Sequence, residues 1–335
     1  MSALLEIEDL VVDLPVAAGT LHAVRGISLS IARGETLCLV GESGCGKSLT
    51  SLAVMGLLPK AARRRATRMT LGGEDILDAT PDRLSDIRGQ RMAMIFQEPM
   101  TSLNPAWSIG NQLEEALLRH RRVRRAEARD RAVFLLEKVG ISAAASRLGQ
   151  YPHQLSGGLR QRVMIAMALM CGPELIIADE PTTALDVTIQ AQILRLLIDL
   201  QREFSMGLLF ITHDLGVVSR IADRVAVMYA GEIVETGPAA DVLSRPNHPY
   251  TQGLLDCIPR PGTVARGARL GTIPGVVPNL AGRIEGCAFL DRCPSRRPHL
   301  CRQPVELRGL GDGRAYRCIL PPADAAPPAP EPAFA

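Results

Sequence analysis

The sequence predicts an α/β fold in which a parallel sheet flanked by helices follows a set of antiparallel strands and is interrupted by a helical insertion. Three observations carry that expectation. Short apolar runs recur at residues 37–40, 175–178, 208–211 and 225–229, separated by segments of helical periodicity such as 189–203, the alternation of a parallel sheet covered on both faces. Residues 4–34 instead alternate apolar and polar positions, as in Ile27-Ser28-Leu29-Ser30-Ile31, the period of half-buried antiparallel strands. From about residue 100 to 165 charged helical patterns dominate, with helices expected at 112–118 and 126–139.

Leu37-Cys38-Leu39-Val40 leads into Gly41-Glu42-Ser43-Gly44-Cys45-Gly46-Lys47-Ser48-Leu49, and residues 48–58 keep helical spacing through Leu52, Met55 and Leu58. Strand, glycine-rich turn and helix together make a phosphate cradle, because the glycines let the backbone curl until its N–H groups point at phosphate oxygens. Lys47 would reach the β and γ phosphates, Ser48 would offer its hydroxyl to Mg²⁺, and the helix would start against the anion. A second pole follows the run 175–178, which ends in Asp179-Glu180. Asp179 suits Mg²⁺ held through water, and Glu180 suits the polarising of an attacking water. Alone, two acids at a strand end would equally fit a helix cap or a solvated turn; beside the cradle they read as a hydrolytic pair.

In order along the chain, the cradle 41–48, Gln97 in Ile95-Phe96-Gln97-Glu98-Pro99, Leu155-Ser156-Gly157-Gly158, Asp179-Glu180, Thr183-Ala184-Leu185-Asp186 and His213 in Ile211-Thr212-His213-Asp214 form one set. In these six elements the sequence resembles the ATP-binding subunits of ABC transporters over about residues 5–320. The resemblance implies a P-loop NTPase of the ABC type over residues 4–237, its helical subdomain at about 100–165. It further implies head-to-tail pairing, so that ATP on Gly41 to Leu49 of one chain is closed by Ser156, Gly157, Gly158 and Gln161 of the other. In that scheme His213 contacts the γ-phosphate and positions water beside Glu180, Asp186 lies at the seam, and Ser48, Gln97 and Asp179 attend Mg²⁺. One departure stands out: residues 10–22 contain no Phe, Tyr or Trp to stack on adenine, which leaves Leu14 or His22 to cover the base, or His22 as an ordinary loop residue.

Composition excludes several classes. A net charge of +3 over 335 residues gives no case for nucleic acid, and the basic clusters Arg63-Arg64-Arg65 and 119–131 read as solvated faces. No run approaches the roughly 18 to 20 apolar residues of a membrane span, and the first residues lack the layout of a signal peptide. The chain is therefore expected to stay in the cytosol, and the resemblance to transporter subunits implies the cytoplasmic face of the inner membrane, where separate membrane subunits would hold it.

From Gly237 on, Pro and Gly become frequent, and residues 321–335 are Pro- and Ala-rich, an expected disordered tail. Between them, at 238–320, Cys287, Cys293, Cys301 and Cys318 gather on a proline-stiffened segment. Four thiols outside an oxidising compartment suit an iron–sulfur cluster or tetrahedral Zn²⁺, with spare buried thiols as the other reading. Gly286-Cys287-Ala288-Phe289, Arg292-Cys293-Pro294, Cys301 and Cys318, after His248-Pro249-Tyr250-Thr251, resemble the C-terminal extension of dipeptide and oligopeptide importer ATPases. That resemblance implies a structural [4Fe–4S] cluster on the four cysteines, with Zn²⁺ as alternative. It also implies a second, related ATPase chain, two membrane permeases and an extracytoplasmic binding protein. Nickel or peptide-like cargo such as glutathione stays open, because the ATPase never touches cargo. Of the other classes, a DNA-repair ABC ATPase would need a long insertion for which residues 49–154 leave no room, and an iron–sulfur redox sensor would carry its ATPase activity as secondary.

Overall fold

A computed structural model describes residues 3–183, 185–258, 271–282 and 284–322. The chain opens with the long hairpin β1 (Leu5–Val16) and β2 (Gly19–Ile31), then β3 (Thr36–Val40) and α1 (Lys47–Met55). Next come β4 (Arg63–Arg65), β5 (Arg68–Leu71), β6 (Glu74–Asp75), α2 (Pro81–Gln90) and β7 (Met92–Ile95). The helical insertion contains α3 (Pro99–Ser102), α4 (Ile109–His120), α5 (Arg125–Lys138), α6 (Ala144–Arg147) and α7 (Gly157–Ala168). The α/β alternation then resumes with β8 (Leu175–Asp179), α8 (Val187–Phe204), β9 (Gly207–Thr212), α9 (Leu215–Ile221), β10 (Arg224–Tyr229) and β11 (Glu232–Pro238). The extension adds α10 (Ala239–Ser244), α11 (Pro249–Asp256), α12 (Pro298–Cys301), β12 (Arg308–Gly309) and β13 (Ala315–Tyr316).

Two sheets form. Strands β2-β1-β5-β6, with β4 on β1, make an antiparallel sheet; the main sheet runs β12-β13-β11-β10-β3-β9-β8-β7, and β10, β3, β9, β8 and β7 are parallel neighbours. Every residue of β3, β8 and β9 is buried. Their side chains alternate between two cores, as pleating requires. Cys38, Val40, Ile176, Ala178, Leu208 and Phe210 join the helical insertion and the extension on one face. Leu37, Leu39, Ile177, Leu209 and Ile211 join the antiparallel sheet and α1 on the other.

The helix expected at 112–118 appears as the longer α4, and that expected at 126–139 as α5, shifted by one residue. Helix α4 begins where Ser108 Oγ accepts from the Asn111 N–H, and it turns Leu113 and Leu117 into the core.

The extension is less separate than its composition implies. Its β13 pairs with β11, Glu235 opposite Tyr316, and Leu21 of β2 bridges Ala281. Three of the four tyrosines, Tyr229, Tyr250 and Tyr316, are buried at this junction. Tyr229 and Tyr250 meet Phe289 at centroid distances of 5.2 and 5.4 Å, so aromatic burial worth about 3–5 kcal/mol per ring ties the extension to the sheet. The tail expected at 321–335 lies outside the described residues from 323 onward.

Candidate nucleotide site and four-cysteine pocket

The site is built at the carboxyl ends of the parallel strands, where open α/β sheets bind ligands. Strand β3 runs into the glycine loop and α1 leaves it, with Gly46 at the helix cap in the left-handed region, φ 109°. A side chain there would collide with the Ala23 carbonyl and Met228, so the hairpin and β10 wall the loop. Lys47 is 4 % exposed, and its Nζ donates to the carbonyl oxygens of Gly41 (2.7 Å) and Glu42 (3.0 Å) at the loop mouth.

Asp179 ends β8 directly opposite. Ser48 Oγ donates to its Oδ1 at 3.1 Å and Ser51 Oγ to its Oδ2 at 3.4 Å. Burial raises the Asp179 carboxyl above its usual range, against the stabilising Ser48 hydrogen bond. A buried carboxylate disfavoured by desolvation and facing a hydroxyl fits Mg²⁺, whose charge would relieve the penalty.

Beyond it, three side chains converge on Oε2 of Glu180. Gln97 Nε2 donates at 3.3 Å, Thr183 Oγ1 donates at 3.0 Å, and His213 Nδ1 lies 3.3 Å away. Glu180 itself holds a left-handed backbone, φ 44°, and its N–H donates to the Ile211 carbonyl at 3.0 Å. Such strain persists only where its surroundings impose it and is concentrated at functional sites. Gln97, Glu180 and His213, scattered in the sequence, thus meet at one carboxylate. Sequence reasoning misses Thr183 and Ser51 as partners of these acids; Thr183 leaves one local signal, a hydroxyl three residues after Glu180, whereas Ser51 lies far from Asp179 in the chain.

Ser156, Gly157 and Gly158 lie elsewhere. Ser156 caps α7, its Oγ accepting from the Leu159 N–H at 3.4 Å, and both Ser156 and Gly157 are exposed. Among the described residues no hydrogen bond joins them to the glycine loop. Gln161 is buried behind them, its Nε2 without a partner among the described residues. Asp186 is exposed at the start of α8, and Ala184 falls outside the described residues. On the base side, His22 Nδ1 lies 2.7 Å from Asp13 Oδ1, and Leu14 is half-buried.

Cys287, Cys293, Cys301 and Cys318 line one cavity with Phe289 and Leu320. Burial pushes the Cys287 thiol up to about 11, and Cys318, Cys301 and Cys293 push it the same way by charge repulsion. The donor set is four soft sulfurs, the chemistry of iron–sulfur and zinc sites. Among the described residues, however, no three His, Cys, Asp or Glu side chains lie close enough to hold one metal ion.

Residues 24–183 match the family described as ABC transporter, and residues 234–301 match the C-terminal region of oligopeptide and dipeptide transporters. The chain is 50 % identical over 297 residues to the dipeptide transport ATP-binding protein DppD of Bacillus subtilis, covering 88 % of each. It is 47 % identical to the oligopeptide transport ATP-binding protein OppD of Salmonella typhimurium, covering 96 % of this chain and 94 % of that one. Among solved structures, the ATP-binding cassette MJ0796, a dimer in a post-hydrolysis state with ADP and Pi, superposes with a TM-score of 0.62 at 27 % identity, covering 70 % of this chain and 98 % of that one.

Proposed function

The chain belongs to the ABC transporter ATP-binding family, and from that premise we propose that it is the ATPase subunit of an importer of dipeptides or oligopeptides. The convergence of Gln97, Thr183 and His213 on Glu180, beside the Ser48–Asp179 pair, is the observation that carries the hydrolytic part of the reading. The names of the relatives and the match of the extension support the cargo class over nickel or glutathione. No helix among the described residues is long and apolar enough to cross a membrane, so two membrane permeases would supply the path and hold the chain at the inner face. An extracytoplasmic binding protein would supply the peptide.

ATP would lie in the glycine loop with its β and γ phosphates on Lys47 and the α1 N-terminus. Ser48, Asp179 and Gln97 would hold Mg²⁺, which when bound neutralises phosphate charge. Glu180 would accept a hydrogen bond from water and orient it in line with the γ-phosphorus. As the water oxygen bonds to phosphorus it gives up a proton toward Glu180, and the bond to the β–γ bridging oxygen breaks, releasing ADP and phosphate, while His213 steadies the γ-phosphate. Ser156 and Gly157, exposed at a helix start, would close the site of a second and related ATPase chain, with Asp186 at the seam.

Cys287, Cys293, Cys301 and Cys318 would hold a [4Fe–4S] cluster that pins the extension. Leu14, rather than the Asp13-paired His22, would cover the adenine. The test is uptake of a labelled dipeptide by vesicles carrying the four-subunit complex and the binding protein: ATP-dependent uptake is expected, and ATP hydrolysis stimulated by a non-peptide cargo alone would overturn the assignment.

A further inference from the structure

Arg292 sits in the four-cysteine segment, beside Cys293, yet its guanidinium is directed at the nucleotide loop. Its side chain is 5 % exposed. Nη1 donates to Glu42 Oε2 at 2.6 Å and Nη2 to Glu42 Oε1 at 3.0 Å, the two-pronged pairing that makes an Arg–carboxylate contact strong and directional. The remaining donors are also engaged, Nε with the Pro274 carbonyl, Nη2 with that of Ile273 and Nη1 with the Tyr229 hydroxyl. A second extension residue, Tyr250, accepts the Glu42 N–H on its hydroxyl at 2.9 Å. Glu42's carbonyl in turn accepts from Lys47 Nζ. One loop residue is therefore held at its amide and its carboxylate by the extension and at its carbonyl by the phosphate-binding lysine. The extension grips the other wall of the site as well, since the His22 N–H on β2 donates to the Leu280 carbonyl at 2.9 Å.

We propose that Arg292 is a positioning residue for ATP binding: acting through Glu42, it sets the conformation of the glycine loop and the reach of Lys47, which makes the extension part of the nucleotide site. Lys cannot replace it fully, because an ammonium is a point donor and cannot form the fork.

The test uses the full chain, with ATP affinity measured by equilibrium binding and thermal melting measured alongside. Arg292→Gln and Glu42→Gln are each expected to weaken ATP binding about tenfold, the double variant no further than either single one, and Arg292→Lys about threefold. In the assembled transporter the loss from Arg292→Gln is expected to fall on KM for ATP more than on kcat. Variants that melt earlier but bind ATP as tightly as the parent, or losses that simply add in the double variant, would overturn the proposal. Should Arg292→Gln fail to fold, Glu42→Gln decides alone, since Glu42 is partly exposed and the change is isosteric. The proposal rests on the loop being the ATP site: a parent chain that binds no ATP sinks that reading, whereas a binding parent with unaffected variants sinks only this one.

Discussion

The glycine-loop pole and the Ser156 pole of this chain differ in what surrounds them. At the first, Lys47, Asp179 and Glu180 are buried or nearly so and each is tied to a neighbour: Lys47 to Gly41 at the end of β3, Asp179 to Ser48 on α1 and Glu180 to Gln97 just past β7. At the second, among the described residues Ser156 bonds within its own helix, through Leu159, and the helix start at Ser156 and Gly157 is exposed, leaving backbone N–H groups for an anion. One pole is thus a nearly complete catalytic half and the other a binding half whose ligand must come from outside the chain. Under the function proposed above, such a chain works in pairs, each copy supplying the pole that the other's nucleotide lacks.

The contrast is most directly tested at Glu180. Glu180→Gln should lower kcat by about 10²- to 10⁴-fold, the usual scale for losing a positioned base, while equilibrium ATP binding stays within about threefold of the parent. Unchanged turnover would move the catalytic role elsewhere. At the opposite pole, Ser156→Arg should leave ATP binding on the chain's own loop intact but reduce turnover of a paired complex by roughly 10²-fold, the scale for removing a preorganised donor to phosphate or oxyanion. A single-chain binding assay beside a steady-state assay separates the two poles; equal losses in both would erase the distinction between them.

Outside both poles, Phe289→Ala should cost about 3–5 kcal/mol of stability in denaturant titration, because it empties the aromatic junction between the extension and β10. A variant that melts like the parent would mean that the extension is held by other contacts.

At neutral pH no effect is expected from the last group, His248, which is buried and caps α11 by accepting the Tyr250 N–H on Nδ1. Burial depresses it from 6.5 to about 3. The folded chain therefore refuses a proton that the unfolded chain accepts. Stability should fall as pH drops from about 6.5 toward 3, by at most about 1.4 kcal/mol per pH unit, and His248→Asn should flatten that slope in urea titrations across pH.

Much of this was legible in the chain itself. The alternation of apolar runs and helical segments carries the parallel sheet, because strands buried on both faces must be continuously apolar, and the glycine-Lys-Ser spacing carries the cradle, because strand, loop and helix are contiguous. The hairpin β1–β2 follows from period-two patterning. What could not be read there was the pairing of distant groups. The His22–Asp13 contact depends on the hairpin register that sets these two residues opposite each other, and Arg292 on Glu42 joins residues 250 positions apart, for which no local periodicity leaves a trace.

The extension shows the same division. Its composition marks where the texture changes, but only the fold brings its short strands onto β11 and its aromatic residues against Tyr229. Sequence alone determined the elements and the chemistry carried by each motif, because those depend on neighbours within a few residues. Tertiary structure alone decided which motifs share a site, because hydrogen bonds and side-chain packing act over a few ångströms of space and are indifferent to separation along the chain.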